Sequence, residues 1–340
     1  MSISKTNKAI VINGSARSGT TWLMDILGKN ARHYSLFEPL DSRYKEAQEL
    51  GLWFRYLDPH GGFPAEQRFF ETLLGGNERR LTKIYNVDTR VCNFYFKFRE
   101  KIVNLGSRRG MTPVIKFVRG HFFLKYLQEN FNPKTIVIFR HPCAALESAL
   151  RVGFIDTNFK LLLGDRSKKL FKAYPQLVKK VKKSLELLDY KNLWFGSVPD
   201  RERKGKMLII RWCLSNWFML NDILKNGLDA FVIFYEQLYA DPDKEIAALC
   251  GRLGMDYSPS MREEAGKPAA SVVKNSPAKE KEKAITPVNR WRTSLSPALH
   301  DFCFKIMEIF DIDIYSAEIL PNPNSNLQVY LNSLKPAGSQ

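Results

Sequence analysis

The residues from Gly14 to Thr21 have the composition and spacing of an anion-binding loop. Two glycines, Gly14 and Gly19, enclose a cation, Arg17. Glycine permits backbone angles and a close ligand approach that a side chain would block. Backbone N–H groups at the start of a helix favour bound negative charge, and so does the helix dipole. The loop therefore indicates a site for phosphate or a related anion, the alternative being an ordinary Gly/Ser turn.

The flanking sequence predicts the elements that position this loop. Ala9 to Ile12 is a short apolar run with β-branched residues, typical of a buried parallel strand. From Thr20 to Leu27 the apolar residues recur at helical spacing. Gly14, Gly19 and Thr21 match the nucleotide-hydrolase pattern G-x-x-x-x-G-K-[ST], but a threonine replaces its lysine. Without that lysine the contact to the β- and γ-phosphates of ATP is missing.

A second candidate anion site combines Arg140 with Ser148. The apolar run from Thr135 to Arg140 predicts a buried strand that ends in a cation. Pro142 suits the first turn of a following helix, which we predict over Cys143 to Leu150. An arginine at the strand end and a serine in this helix could hold one phosphate together.

Three side chains are candidates for a general base: Glu38, His121 and His141. Glu38 follows a strand predicted over Tyr34 to Phe37, at the edge where ligands of open α/β sheets bind. A carboxylate among apolar neighbours can have a raised pKa, as a base near neutral pH requires. His121 has the easier intrinsic chemistry, but it opens a predicted helix and could cap or pack there. His141 adjoins Arg140, which suits binding better; Glu38 is the preferred base.

The run Arg17-Ser18-Gly19-Thr20-Thr21-Trp22-Leu23 resembles the 5′-phosphosulfate loop of sulfotransferases that use 3′-phosphoadenylyl sulfate (PAPS). In having an arginine at position 17 of this loop, the chain resembles the carbohydrate 6-O-sulfotransferases. The segment Phe37-Glu38-Pro39-Leu40 resembles a segment that follows the loop in the same enzymes. Arg140 and Ser148 stand at the spacing at which this family holds the 3′-phosphate of the cofactor. Val118 departs from the small-molecule branch, which has a histidine at that position.

The resemblance implies a P-loop-like three-layer α/β fold with a central parallel sheet flanked by helices. It implies PAPS as cofactor, no metal ion, and sulfuryl transfer to a hydroxyl of a carbohydrate or glycoconjugate. The residues assigned to cofactor binding are Arg17, Ser18, Gly19, Thr20, Thr21, Trp22, Arg140, Ser148, Asn289, Arg290, Trp291 and Arg292. Arg17 is assigned to stabilise charge on the departing phosphate, and Glu38 or His121 to take the acceptor's proton.

Composition limits the remaining architecture. The chain has 340 residues, 44% of them hydrophobic, and a net charge of +17. We expect one domain over residues 1–340, with a mobile loop at 256–288. The basic segment that follows the loop, 289–292, resembles a segment that folds over the cofactor in this family. Five cysteines without a C-x-x-C pair favour buried thiols over zinc. The lack of an apolar leader or long apolar run predicts a cytoplasmic protein without a transmembrane segment.

Several alternatives stay open at this point. Within the family, the acceptor could instead be a small-molecule, lipid or polyketide alcohol. A P-loop kinase is the rival among enzymes, and the missing loop lysine and the Arg140–Ser148 pair count against it. The positive charge also suits a basic nucleic-acid-binding protein, but no binding module is apparent, so we expect no nucleic-acid partner. The oligomeric state is not indicated.

Overall fold

The computed structural model of the chain describes residues 9–40, 44–82, 110–153, 165–188, 200–267 and 286–334. Its centre is a five-stranded sheet with the strand order β2-β3-β1-β4-β5. The strands are β1 (Ile10–Asn13), β2 (His33–Phe37), β3 (Thr112–Phe117), β4 (Lys134–Phe139) and β5 (Ala230–Phe234). Each pair of neighbouring strands is parallel.

Helices connect the strands and follow the last of them. The helices of the first half are α1 (Thr20–Leu27), α2 (Lys45–Leu50), α3 (Pro64–Leu74), α4 (Leu124–Phe131), α5 (Pro142–Arg151), α6 (Asp165–Ala173) and α7 (Pro175–Leu187). Those of the second half are α8 (Arg201–Leu224), α9 (Tyr235–Ala240), α10 (Pro242–Leu253), α11 (Pro259–Ala265), α12 (Trp291–Ser294), α13 (Pro297–Ile309) and α14 (Asn326–Ser333).

The alternation of side chains along β1 produces three layers. Successive strand residues point to opposite faces of a sheet. Ile10 and Ile12 belong to the core cluster that contains the apolar residues of α1, α10 and α11. Val11 belongs to the other cluster, with residues of α3, α4, α5, α8 and α13. Helices therefore cover both faces, and the predicted P-loop-like α/β fold with a central parallel sheet is confirmed.

The strand order brings the two candidate anion sites to one edge of the sheet. Strand β1 lies between β3 and β4, with Asn13 in register with Phe117 and Val137. After β1, the chain first forms β2 and β3 on one side of β1, and then β4 and β5 on the other side. Ligands of open α/β sheets bind at such a switch point, outside the carboxyl ends of the strands. The loop after β1 and the residues after β4 meet there.

The structure differs from the predicted elements chiefly at their ends. The helix predicted from His121 begins as a 3-10 turn, His121–Phe123, before α4. The predicted loop at 256–288 contains α11, whereas residues 268–285 lie outside the described residues, so its mobility stays a prediction. Within the described ranges no helix has both the length and the apolar content needed to cross a bilayer. Four cysteines, Cys143, Cys213, Cys250 and Cys303, are buried free thiols.

Asp222, near the end of α8, is a carboxyl group buried away from the sheet's ligand-binding edge. Its Oδ1 accepts a hydrogen bond from Asn226 Nδ2 at 2.7 Å. Its Oδ2 has no hydrogen-bond partner among the described residues. Burial raises the pKa of Asp222 to about 7, against the smaller opposing effects of Asn226 and Lys125. The folded protein therefore holds a proton here that the unfolded chain releases at lower pH.

We expect Asp222→Asn to stabilise the protein, and more so at pH 8 than at pH 5. Because the folded pKa lies above the unfolded value, stability is fully present below the unfolded pKa and is lost as pH rises through about 7. Asparagine copies the protonated acid, so the gain in stability should grow by about 2.6 kcal/mol between the two pH values. Urea unfolding of both proteins at each pH measures it. Parallel pH profiles for the two proteins would contradict the assignment.

Candidate active site

The loop between β1 and α1 is packed so closely that two of its positions require glycine. A Cβ at Gly14 would lie 2.6 Å from the Ile138 carbonyl oxygen, and one at Gly19 would collide with the Tyr235 ring. Gly19 also has a φ of 94°, and Arg17 itself has a φ of 70°. A left-handed backbone at a non-glycine residue is strained, and such strain is concentrated at functional sites. The loop holds Arg17 in an unusual conformation at the switch point.

The start of α1 offers backbone donors for an anion. Its N-cap is Gly19, which provides no side-chain cap, and its first turn carries no acidic residue. Thr20 is buried and Thr21 is half-buried in that turn. Ser18 is fully buried, and its hydroxyl donates to the Ser15 carbonyl at 2.6 Å. The structure thus leaves the helix amides uncapped, while the Ser18 hydroxyl stabilises the turn.

The two anion sites predicted from the sequence are joined in a single cluster. Arg17 Nε donates to Ser148 Oγ at 3.1 Å. Arg140 Nη1 donates to the Arg17 carbonyl at 2.7 Å, and its Nη2 donates to the Pro287 carbonyl at the same distance. The loop after β1, the end of β4 and helix α5 therefore converge on one place.

This cluster carries excess positive charge. Burial lowers the pKa of Arg17 to about 10, and repulsion by Arg140 and Arg151 adds to the effect, against a smaller attraction from Glu147. Arg140 Nε is buried without a hydrogen-bond partner among the described residues. A buried donor without a partner is costly, and so are neighbouring cations. An anionic ligand would relieve both costs, so the residues fit the binding of an anion.

Aromatic rings from the start of α9 and from α1 lie beside the cluster. The Arg140 guanidinium lies 4.1 Å from the centroid of the Tyr235 ring. Trp22 meets the same ring edge to face, with centroids 6.0 Å apart. Trp22 is buried, and its Nε1 has no partner among the described residues. The tyrosine after β5 thus orients Arg140 through a cation–π contact.

The segment at 286–292 reaches the cluster through its backbone. The Pro287 carbonyl is the one that accepts from Arg140. Asn289 Oδ1 accepts from the Thr286 amide at 2.7 Å, and Arg290 is half-buried. Arg292 is engaged elsewhere, because its Nη2 donates to the Ala317 carbonyl at 3.0 Å. In this structure the segment lies against the predicted 3′-phosphate site, whereas the Arg292 side chain points toward the later residues around Ala317.

His141 is held in place by contacts on every side. Its ring stacks on Trp291, with centroids 4.5 Å apart and planes at 11°. Nδ1 accepts from the Cys143 amide at 3.2 Å and so caps α5, while Nε2 donates to the Ser316 carbonyl at 2.9 Å. Its backbone amide donates to Glu236 Oε1 at 2.9 Å. With both ring nitrogens in use, these contacts give His141 a structural role.

Glu38 is part of a buried ion pair. Its Oε1 lies 2.9 Å from Lys116 Nζ, and its Oε2 accepts from the Val118 amide at 3.2 Å. Both charged side chains are almost wholly buried, and Lys116 lies over the Phe37 ring, 4.1 Å from its centroid. The carboxylate therefore braces the carboxyl end of β3 rather than projecting into open space. Its φ of 44° adds to the strain of this edge.

His121 lines a pocket beside the loop. The pocket encloses about 450 Å³, including its opening to solvent, and is shared by Ser15, Ala16, Val118 and His121. Burial lowers the pKa of His121 to about 3, followed by the effect of Arg211, while contact with the Gly14 backbone acts in the opposite direction. Neither ring nitrogen has a well-formed hydrogen bond among the described residues. The imidazole is therefore neutral at physiological pH.

The rest of the pocket comes from α5 and α8, which the sequence alone did not connect with the site. The residues of α8 are Leu208, Ile209, Arg211, Trp212 and Ser215. Positions 208, 211, 212 and 215 form one stripe of a helix, because residues three and four apart are neighbours. This stripe is the signal that could have identified them, but its apolar members suggest core packing equally well.

Comparisons with known proteins give similarity only among solved structures. No family model matches the chain, and no curated protein matches it. The sulfotransferase domain from the curacin biosynthetic pathway is 18% identical, with 94% of this chain and 100% of that chain covered and a TM-score of 0.48. The sulfotransferase domain from the Synechococcus PCC 7002 olefin synthase is 20% identical, with 90% of this chain and 95% of that chain covered and a TM-score of 0.43. Mouse sulfotransferase SULT7A1 complexed with PAP is 13% identical, with 97% of this chain and 90% of that chain covered and a TM-score of 0.44. A likeness at this level assigns no residue a role.

Proposed function

We propose that this chain is a PAPS-dependent sulfotransferase that acts on a hydroxyl group. The observation that carries the proposal is the cluster of Arg17, Arg140 and Ser148 at the switch point of a parallel sheet. Two guanidiniums in contact with one loop suit a ligand that has two anionic groups, and a sulfonucleotide with a 3′-phosphate is such a ligand. The phosphosulfate-loop resemblance of residues 17–23 supports the same assignment.

Each part of the cluster has a role in this scheme. Arg17 and the uncapped amides of α1 would hold the 5′-phosphosulfate, and Arg140 with Ser148 would hold the 3′-phosphate. PAPS, when bound, supplies the sulfuryl group. Arg17 lies where negative charge develops on the departing phosphate, and a fixed cation there stabilises the transition state. The two arginines provide the positive charge that Mg²⁺ provides in nucleotide triphosphate sites.

The acceptor has two candidate classes. The arginine at position 17 and the Phe37-Glu38-Pro39-Leu40 segment support a carbohydrate or glycoconjugate. The pocket favours the other class, a small-molecule or lipid alcohol, because most of its lining is apolar, including Val118, Leu146 and Leu208. A sugar would bury many hydroxyls against few polar partners, which is unfavourable. Turnover of a long-chain aliphatic alcohol, compared with N-acetylglucosamine, distinguishes the two classes.

Thermal stabilisation by adenosine 3′,5′-bisphosphate (PAP) tests the proposed function. A ligand at 100 times its Kd stabilises the folded state by about 2.7 kcal/mol. We expect PAP to raise the melting temperature, and Mg-ATP to raise it far less. An equal shift with Mg-ATP would favour a kinase. No shift with PAP, together with salt-sensitive binding to random DNA, would favour a nucleic-acid-binding protein.

We expect Arg140→Ala to weaken PAP binding much more than binding of adenosine 5′-monophosphate, which lacks the 3′-phosphate. A charge-assisted hydrogen bond contributes about 1.5–3 kcal/mol, so the Kd for PAP should rise about 10- to 100-fold. Isothermal calorimetry with both nucleotides measures the difference. Arg252→Ala is the matched control, because Arg252 also stacks on an aromatic ring, that of Phe231. Equal losses for the two nucleotides would refute the 3′-phosphate assignment.

A further inference from the structure

One amide links the pocket-lining helix to the anion-binding loop. Asn216, in the middle of α8, is 1% exposed. Its Nδ2 donates to Ser15 Oγ at 2.7 Å and to the Trp212 carbonyl at 2.7 Å. A backbone carbonyl can only accept, so the Trp212 contact fixes which end of the amide carries the hydrogens. Both hydrogens of the amide are therefore in use.

The direction of this bond determines what the Ser15 hydroxyl can do. A hydroxyl has one proton to donate and two lone pairs. Because Ser15 Oγ accepts from Asn216, its own proton is left to point away from the amide. Among the residues that the structure describes, the hydrogen bond accepted from Asn216 Nδ2 is the one that Ser15 Oγ makes, and it donates none. Accepting one hydrogen bond also polarises the hydroxyl and strengthens it as a donor.

Ser15 occupies a suitable place for a ligand contact. It lies two residues before Arg17 in the loop, and it lines the same pocket as His121. Its carbonyl accepts from the Ser18 amide at 3.1 Å and from the Ser18 hydroxyl, so the backbone at Ser15 is fixed. The side chain is thus oriented by α8 and the main chain by the loop itself. A donor fixed from both sides is preorganised for an anion.

We propose that the Ser15 hydroxyl donates a hydrogen bond to an oxygen of the 5′-phosphosulfate group, and that Asn216 is the positioning residue that orients it. This inference rests on the proposed function. The sequence did not single out either residue. Asn216 stands among apolar residues of a core helix, and the side chain of Ser15 has no assigned part in the phosphate-loop pattern.

The test measures nucleotide binding to Ser15→Ala, Asn216→Ala and the double variant by calorimetry. A hydrogen bond to a charged group predicts a Kd roughly tenfold or more higher for PAP and for adenosine 5′-monophosphate. Adenosine 3′-monophosphate, which lacks the 5′-phosphate, should bind all variants equally well. Because Asn216 acts through Ser15, the double variant should bind no more weakly than Ser15→Ala alone.

The control is Asn221→Ala, which removes another buried asparagine of α8 five residues further along. It should leave the affinity for all three nucleotides unchanged. A loss of melting temperature in Asn216→Ala without a change in PAP affinity would show that the amide only fastens the helix to the loop. Equal weakening of all three nucleotides, or losses that multiply in the double variant, would also overturn the proposal. Failure of the wild-type protein to bind PAP would instead refute the proposed function.

Discussion

Replacing Arg17 by alanine should lower kcat by about 10²- to 10³-fold, the scale of losing a donor aimed at developing transition-state charge. The guanidinium is fixed before any ligand arrives, by its bond to Ser148 and by the contact of Arg140 with its carbonyl. A preorganised cation needs no reorganisation when charge moves onto the departing phosphate. Steady-state rates at saturating PAPS and acceptor measure the loss.

Arg17→Lys separates charge from geometry. Lysine keeps the positive charge but lacks the planar fork, and it cannot reproduce the bond from Nε to Ser148. We expect it to recover only part of the lost rate. PAP affinity distinguishes binding from catalysis, because an interaction made mainly in the transition state changes kcat more than Kd. An unchanged kcat in Arg17→Ala would remove Arg17 from the catalytic assignment.

The parts of the site that could be predicted from the sequence are those that the backbone pattern determines. A glycine-bounded turn between an apolar strand and an amphipathic helix predicted the loop around Arg17. The strand ending in Arg140 and the helix carrying Ser148 predicted the second half of the cluster. Parallel strands bring their carboxyl ends to one edge, so these two segments had to meet. The structure places their side chains within hydrogen-bond distance.

The general base could not be predicted in the same way. Which side chain is available as a base depends on which polar side chains pair with one another in three dimensions. The position of Glu38 at a strand end suggested an available carboxylate. The sequence does not show that Lys116, on the neighbouring strand, lies in ion-pair contact with it. Likewise, Asn216 is 201 positions from Ser15, and no local pattern connects them. Contacts of such sequence separation follow from packing rather than from periodicity.

The burial of the Glu38–Lys116 pair changes what Glu38→Gln should do. Removing one partner of a buried ion pair costs about 3–5 kcal/mol of folding free energy. We therefore expect that variant to lose stability rather than the proton-transfer step alone. The double replacement Glu38→Gln with Lys116→Met removes both charges and should recover stability. If the double variant regains turnover, Glu38 is not the base.

His121 is the stronger candidate for the base on the contacts of the structure. It lines the pocket next to the loop, and its ring nitrogens are not committed to well-formed hydrogen bonds among the described residues. We expect His121→Ala to lower kcat by about 10²- to 10⁴-fold, the range for losing a general base. PAP affinity should change little, because His121 is not part of the Arg17 cluster. Near-normal turnover would exclude His121.

The pH dependence provides an independent test of the same assignment. A general base must be deprotonated to act, and burial lowers the pKa of His121 to about 3, with Arg211 adding to the effect. The neutral ring therefore persists as pH falls, so kcat/KM should stay nearly constant for this group between pH 7 and pH 5. A base with the ordinary histidine pKa of about 6.5 would lose about 25-fold in kcat/KM between pH 7 and pH 5. Negative charge bound near Arg17 favours the imidazolium, so the ring becomes a better base in the complex than in the free protein. The profile of kcat, which reports the complex, should accordingly fall at a higher pH than that of kcat/KM, and coincident profiles would contradict this role for His121.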